Sequence, residues 1–191
     1  MIAVDVLARM FGPGFAGVEP IFALLIMQGF VFRASFGFAL GTLSLLTSAL
    51  ITAGIGPWLP FQMFAAGLVA GGAGLLPRLR SGNFERVILS LYGIVGAYLY
   101  GAIVTLWQWP LLAGSNSGLS YLPTGTLVEN FFRFVQYSIV SGGILWDSGR
   151  AITTVVIVVV FGKTIMAALN RAAHRLELKP MRSAQSQLHR R

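Results

Sequence analysis

Val87-Ile88-Leu89-Ser90-Leu91-Tyr92-Gly93-Ile94-Val95-Gly96-Ala97-Tyr98-Leu99-Tyr100-Gly101-Ala102-Ile103-Val104-Thr105-Leu106-Trp107-Gln108-Trp109 contains no charged residue. A membrane-spanning helix needs about 20 predominantly apolar residues. This run meets that length, and its continuity is wrong for a strand that alternates between core and solvent. Around it stand further apolar runs: Ile21–Phe32, Ala34–Thr52, Phe61–Leu76 and Ala151–Leu169. Composition agrees. Across 191 residues the chain is 55% hydrophobic and only 10% charged, with a mean hydropathy of +0.75. Soluble domains carry about 25% charged residues. So few charges cannot cover a water-facing surface. The expected fold is all-α: a polytopic membrane helix bundle with five spans.

Cations orient the bundle, because Lys and Arg concentrate on the cytoplasmic side. Arg78, Arg80 and Arg86 share the loop before Val87, and Arg33 sits between two apolar runs. Both places are expected inside. Ala53–Pro57 and Pro110–Leu127 hold no Lys or Arg and are expected outside. Seven of the 14 Lys and Arg follow Gly162: Lys163, Arg171, Arg175, Lys179, Arg182, Arg190 and Arg191, opposed there only by Glu177. Beside an apolar helix, such a run reads as a cytoplasmic tail meeting anionic lipid headgroups rather than as a nucleic-acid surface. The expected location is the plasma membrane, multi-pass, with the C-terminus in the cytoplasm.

Five crossings satisfy this charge pattern. Val128–Trp146 is helical in character but holds Glu129, Asn130, Arg133, Gln136 and Tyr137. A sixth crossing there would put seven cations on the wrong side, so it is expected to lie at the outer interface or over a pocket. Glu129 and Arg133, at i,i+4, read as a surface pair. Parity also puts the start of the chain outside. Residues 1–18 are therefore expected to be the tail of a first helix this chain does not contain, plus the loop after it. Residues 19–170 would form the membrane domain and 171–191 the basic tail.

Gly37 with Gly41, and Gly67 with Gly71 followed by Gly74, are spaced for close helix contact, as are Gly93, Gly96 and Gly101 along the fourth run. Small residues let helix backbones approach where lipid removes the hydrophobic drive.

Two segments stand out as chemistry. Gly56-Pro57-Trp58-Leu59-Pro60-Phe61-Gln62-Met63 is a turn with two prolines between apolar runs. Irregular backbone at membrane depth persists only where protein or a water-filled cavity covers it. Trp58 and Gln62, four apart, present a ring and an amide for a ligand; the plainer reading is an interfacial Trp anchor beside a helix start. Trp146-Asp147-Ser148-Gly149-Arg150 opens the last run. Asp147 reads as an N-cap, with Arg150 paired to it or to a headgroup. Charges at this depth also default to a functional site. Trp58, Gln62, Trp107, Trp146, Asp147 and Arg150 are expected to line one outward-facing cavity, with Trp109 and Tyr121 at its border and Asn130 closing it.

The chain has no Cys, and both His, His174 and His189, lie in the basic tail. That excludes disulfides and thiolate chemistry, and no metal cluster is expected. Phosphate-binding loops, His-Glu-x-x-His and Gly-x-Ser-x-Gly are missing from the sequence, so no catalytic residue and no cofactor is assigned. Any ATP-driven step must come from a partner.

At these residues the chain resembles the substrate-specific S component of an energy-coupling factor (ECF) transporter of the actinobacterial kind. The resemblance covers about residues 18–171. It rests on Val18-Glu19-Pro20, Phe36-Gly37-Phe38-Ala39-Leu40-Gly41, Gly56 through Met63, Gly71-Gly72-Ala73-Gly74-Leu75-Leu76-Pro77, Tyr92-Gly93 through Tyr100-Gly101, and Trp146 through Ala151. It implies a six-helix membrane subunit that captures a vitamin or related micronutrient from outside. Its partners would be a transmembrane coupling subunit and two ATPases. Members of the family begin with a helix of small residues, often Ala-x-x-x-Ala, that touches the coupling subunit. No such segment precedes Glu19 here. Two other readings predict different behaviour. A membrane enzyme acting on lipid-linked substrates through Asp147 and Arg150 would turn over alone. A structural membrane subunit would have a packed outer side.

Overall fold

The structure is a computed structural model that describes residues 1–10, 17–52, 54–78, 82–113 and 118–188, and the side chains among them except those of 112 and 176–188. Arg80, Ala53, the middle of the Pro110–Leu127 loop, Arg190 and Arg191 lie outside the described residues. Among the described residues seven helices follow in order: α1 Ile2–Met10, α2 Ile21–Phe32, α3 Ala34–Ile51, α4 Leu59–Ala73, α5 Gly82–Leu112, α6 Leu127–Val140 and α7 Gly143–Leu188. No strand occurs among the described residues. α3, α5 and α7 are long and apolar enough to cross a membrane, while α2 and α4 are shorter apolar helices.

α2 is buried almost throughout. Ile21, Phe22, Leu25, Ile26 and Met27 are all at 1% exposure or less. Its neighbours are α3, α4, α5 and α7, with α1 laid on one side. This explains how a run too short to span comfortably is apolar on every side but for Gln28: other helices surround it. The lipid-length helices show the reverse. Leu91, Val95, Leu106, Ile152, Val160 and Phe161 are exposed, as expected for side chains facing hydrocarbon.

Glycine contacts close the α2–α3–α4 core. A Cβ on Gly29 or Gly37 would collide with the Ala70 carbonyl, and one on Gly41 would collide with that of Ala66. The expected small-residue contacts therefore occur, and Gly29 joins them. Gly74 approaches the Arg33–Ala34 backbone equally closely. Arg33 links α2 to α3 with φ +77° and ψ 168°, a conformation nearly restricted to glycine.

Cross-contacts define the two ends of the bundle. At one end the Arg78 guanidinium donates to the carbonyls of Phe30 and Val31 at 3.2 and 2.6 Å, and Arg86 donates to Val159 O at 3.1 Å. At the other end the start of α4 meets the end of α5, where Phe61 stacks on Trp107 at 5.2 Å.

The structure changes two expectations about the last helix. Val128–Trp146 reads as helical from end to end, but α6 stops at Val140 and the chain turns at Ser141–Gly142, with Gly142 at φ +80°. Glycine supplies that left-handed turn without a Cβ penalty. α7 therefore begins at Gly143, and Asp147 lies inside its second turn rather than at an N-cap. At its far end α7 continues without a break past residue 171.

Candidate functional site

Asp147 and Arg150 are the chemical centre of the polar end. They lie on successive turns of α7, where i,i+3 spacing sets side chains on one face. Arg150 Nη1 donates to Asp147 Oδ1 at 2.6 Å. Glu19, in the segment just before α2, accepts from Arg150 Nε at 3.2 Å and from Nη2 at 3.5 Å. The guanidinium carbon lies 4.8 Å from the Phe22 ring centre and 4.6 Å from that of Tyr100. Those two rings meet edge to face at 4.6 Å. Arg150 is thus enclosed by two carboxylates and two aromatic faces at 5% exposure. A desolvated cation needs this degree of satisfaction, and the planar fork of Arg suits it better than Lys.

Two glycines make room for the cluster. A Cβ on Gly101 would overlap the Asp147 carboxylate. Gly17, at φ +77°, brings the Glu19 segment against α7 so closely that a Cβ there would strike the Trp146 carbonyl. Beside the ion pair opens a cleft of about 280 Å³ between α5 and the start of α7. Trp146, Asp147 and Arg150 line it, together with Tyr100, Thr105 and Gln108.

Gln62 lies on the first turn of α4, where Pro60 takes an early helical position that needs no N–H donor. Its Oε1 accepts from Arg9 Nη2 at 3.5 Å. Arg9 Nη1 is buried and has no hydrogen-bond partner among the described residues. The Trp58 ring folds back over Gly56 at 37% exposure. Trp107 packs on Phe61.

The structure therefore brings Trp146, Asp147 and Arg150 together in one cleft. Gln62 is joined to Arg9, and Trp107 to the start of α4. Asn130 does neither. Its amide accepts from Leu122 N at 2.9 Å and donates to Leu122 O at 2.9 Å, organising the loop before α6. Trp109, near the end of α5, braces that loop: its Nε1 donates to Leu119 O at 2.7 Å, and its ring meets Tyr121 and Phe134 edge-on. Glu129 and Arg133 form the expected i,i+4 pair at 3.2 Å.

Sequence reading missed Arg9 as a partner of Gln62, and Glu19 as a partner of Arg150. It also missed a second polar centre. Asp5, fully buried, accepts from Gln28 Nε2 and from Ser44 Oγ, each at 2.8 Å. One signal was available: Gln28 interrupts the apolar run Ile21–Phe32, and an amide at that depth demands a partner. No group of three or more His, Asp or Glu suited to a metal occurs among the described residues. Compared with known protein families, curated proteins and solved structures, the chain matches none.

Proposed function

We propose that this chain is the substrate-binding membrane subunit of an ECF-type transporter, capturing a vitamin or related micronutrient from outside for ATP-driven import. The observation that carries the reading is the concentration of polar recognition groups at one end of an otherwise apolar bundle, beside an open cleft. Small-molecule sites combine apolar walls with a few convergent polar groups. Tyr100, Trp146 and Trp107 offer ring surface, and Gln108, Thr105 and Gln62 offer neutral hydrogen bonding. Arg9 carries a donor that a ligand carboxylate or phosphate oxygen would satisfy. Arg150 is already committed to Asp147 and Glu19, so it shapes the wall rather than gripping the ligand.

In this reading α2, α3, α4, α5 and α7 are the five spans, in the plasma membrane. α6 lies at the outer interface, and the tail after α7 is cytoplasmic. A coupling membrane subunit and two ATPases complete the transporter. The enzyme reading is weaker, because the two charges it requires are paired with each other, and Arg150 is paired with Glu19 as well.

Mass spectrometry of solutes released from the detergent-purified chain tests the proposal. The wild type is expected to carry one enriched micronutrient. Trp146→Ala combined with Gln108→Ala, both in the cleft wall, is expected to lose it at least tenfold while the protein still inserts and elutes as a single species. Equal solute content in both proteins would overturn the pocket assignment.

A further inference from the structure

The opposite end of the molecule carries a site of different character. Two hollows of about 450 Å³ each open between the start of α5 and the middle of α7. They share Asn83 and Arg86 and diverge on either side of that arginine. One is bordered by Glu85, Lys163 and Asn170. The other is bordered by Val87, Leu91, Ile94, Val155 and Val159 and is almost wholly apolar.

Their position is informative. Arg86 is the last charge before the uncharged run Val87–Trp109, and Lys163 is the first charge after Ala151–Gly162. The two cations therefore mark the same boundary of the apolar layer on two neighbouring helices. The apolar hollow lies on the hydrocarbon side of that boundary, and the charged hollow lies on the headgroup side. Arg86 is held in place between them: its Nη1 donates to Val159 O at 3.1 Å and its Nη2 to Asn83 Oδ1 at 2.6 Å. Gly162 leaves the space open, since a Cβ there would already touch the Arg86 side chain.

We propose that this paired hollow binds one anionic phospholipid, its phosphate between Arg86 and Lys163 and an acyl chain along Leu91, Ile94 and Val155. The charge favours an anion: Arg86 and Lys163 are opposed by Glu85 alone among the lining residues. The shape favours a lipid over a free anion, because the apolar arm offers nothing to a phosphate ion. The site is independent of the transport reading and lies at the far end of the bundle from the Asp147–Arg150 cleft.

Native mass spectrometry of the full purified chain, delipidated and titrated with phosphatidylglycerol, phosphatidylcholine or inorganic phosphate, tests it. One phosphatidylglycerol is expected to bind at least about fivefold more tightly than phosphatidylcholine, the effect of roughly one cation near an anionic headgroup. Millimolar phosphate is expected not to displace it. Arg86 also joins the two helices, so the variants are placed on exposed positions. Lys163→Gln should lower phosphatidylglycerol binding about fivefold and leave phosphatidylcholine unchanged. Ile94→Trp, which fills the apolar arm, should weaken both lipids at least tenfold. Lipid occupancy unmoved by both substitutions would overturn the proposal, as would displacement by phosphate, which would mean a small-anion site. Low occupancy by every lipid would overturn it too, and would point to a protein helix as the occupant.

Discussion

Arg150 shows how a buried charge is tolerated in an apolar bundle. Of its two carboxylate partners, Asp147 lies on its own helix and Glu19 in the segment before α2, and the rings that flank it come from α2 and α5. Removing one member of a buried ion pair leaves the others desolvated and unmatched, at about 3–5 kcal/mol. Arg150→Ala is therefore expected to lower the stability of the detergent-solubilised protein by about that amount, read as a drop in its thermal midpoint. Asp147→Asn should cost less, because Glu19 still faces the guanidinium. Equal stability of Arg150→Ala and wild type would show that the cluster contributes nothing to the fold. At this scale the sequence was half legible. Asp147 and Arg150 are three residues apart, so their pairing follows from helix geometry. Glu19 and Arg150 are separated by 131 positions, and no local pattern joins them. The same holds for Arg9 and Gln62, 53 positions apart.

Among the elements, boundaries were readable where sequence punctuation coincides with an abrupt change in polarity. Pro20 and Arg33 bracket Ile21–Phe32, and α2 has those limits. They were not readable where apolar character runs through a turn, as at Ser141–Gly142. There the break depends on one glycine adopting positive φ, which hydropathy does not report. The α2–α3–α4 contacts depend on missing Cβ atoms rather than on side-chain size, so they should not tolerate even modest enlargement. Gly41→Leu places its Cβ against the Ala66 carbonyl, where only backbone movement gives relief. Overpacking of this kind costs about 1–3 kcal/mol. The expected outcome is a lower thermal midpoint, with extra protease sensitivity at the α3–α4 connection. Gly82→Ala, with open space around its Cβ, is the matched control and should change neither.

For the whole molecule, helix direction and cation placement make one joint statement. The ends of α3 and α5 and the starts of α2, α4 and α7 share the polar end, while Arg33, Arg78 and Arg86 lie at the other. Cationic loops favour the cytoplasm. Because the chain contains no Cys, single-Cys variants report topology against a silent background. Ile55→Cys, exposed before α4, is expected to react with a membrane-impermeant maleimide in intact cells. Asn83→Cys, at the start of α5, is expected to react only after permeabilisation. The reverse pattern would invert the molecule and put the Asp147–Arg150 cleft inside the cell.

Asp5 gives α1 a role that its length alone would not. A nine-residue helix laid on an apolar surface can slide or rotate with little change in buried area. A carboxyl group that must meet both Gln28 and Ser44 permits one placement only. The three residues work as a lock and its key: each polar group is costly in an apolar interior unless the other two are present. Residues 2–10 therefore dock in a single register or not at all, and with them arrives Arg9, the cation that faces Gln62.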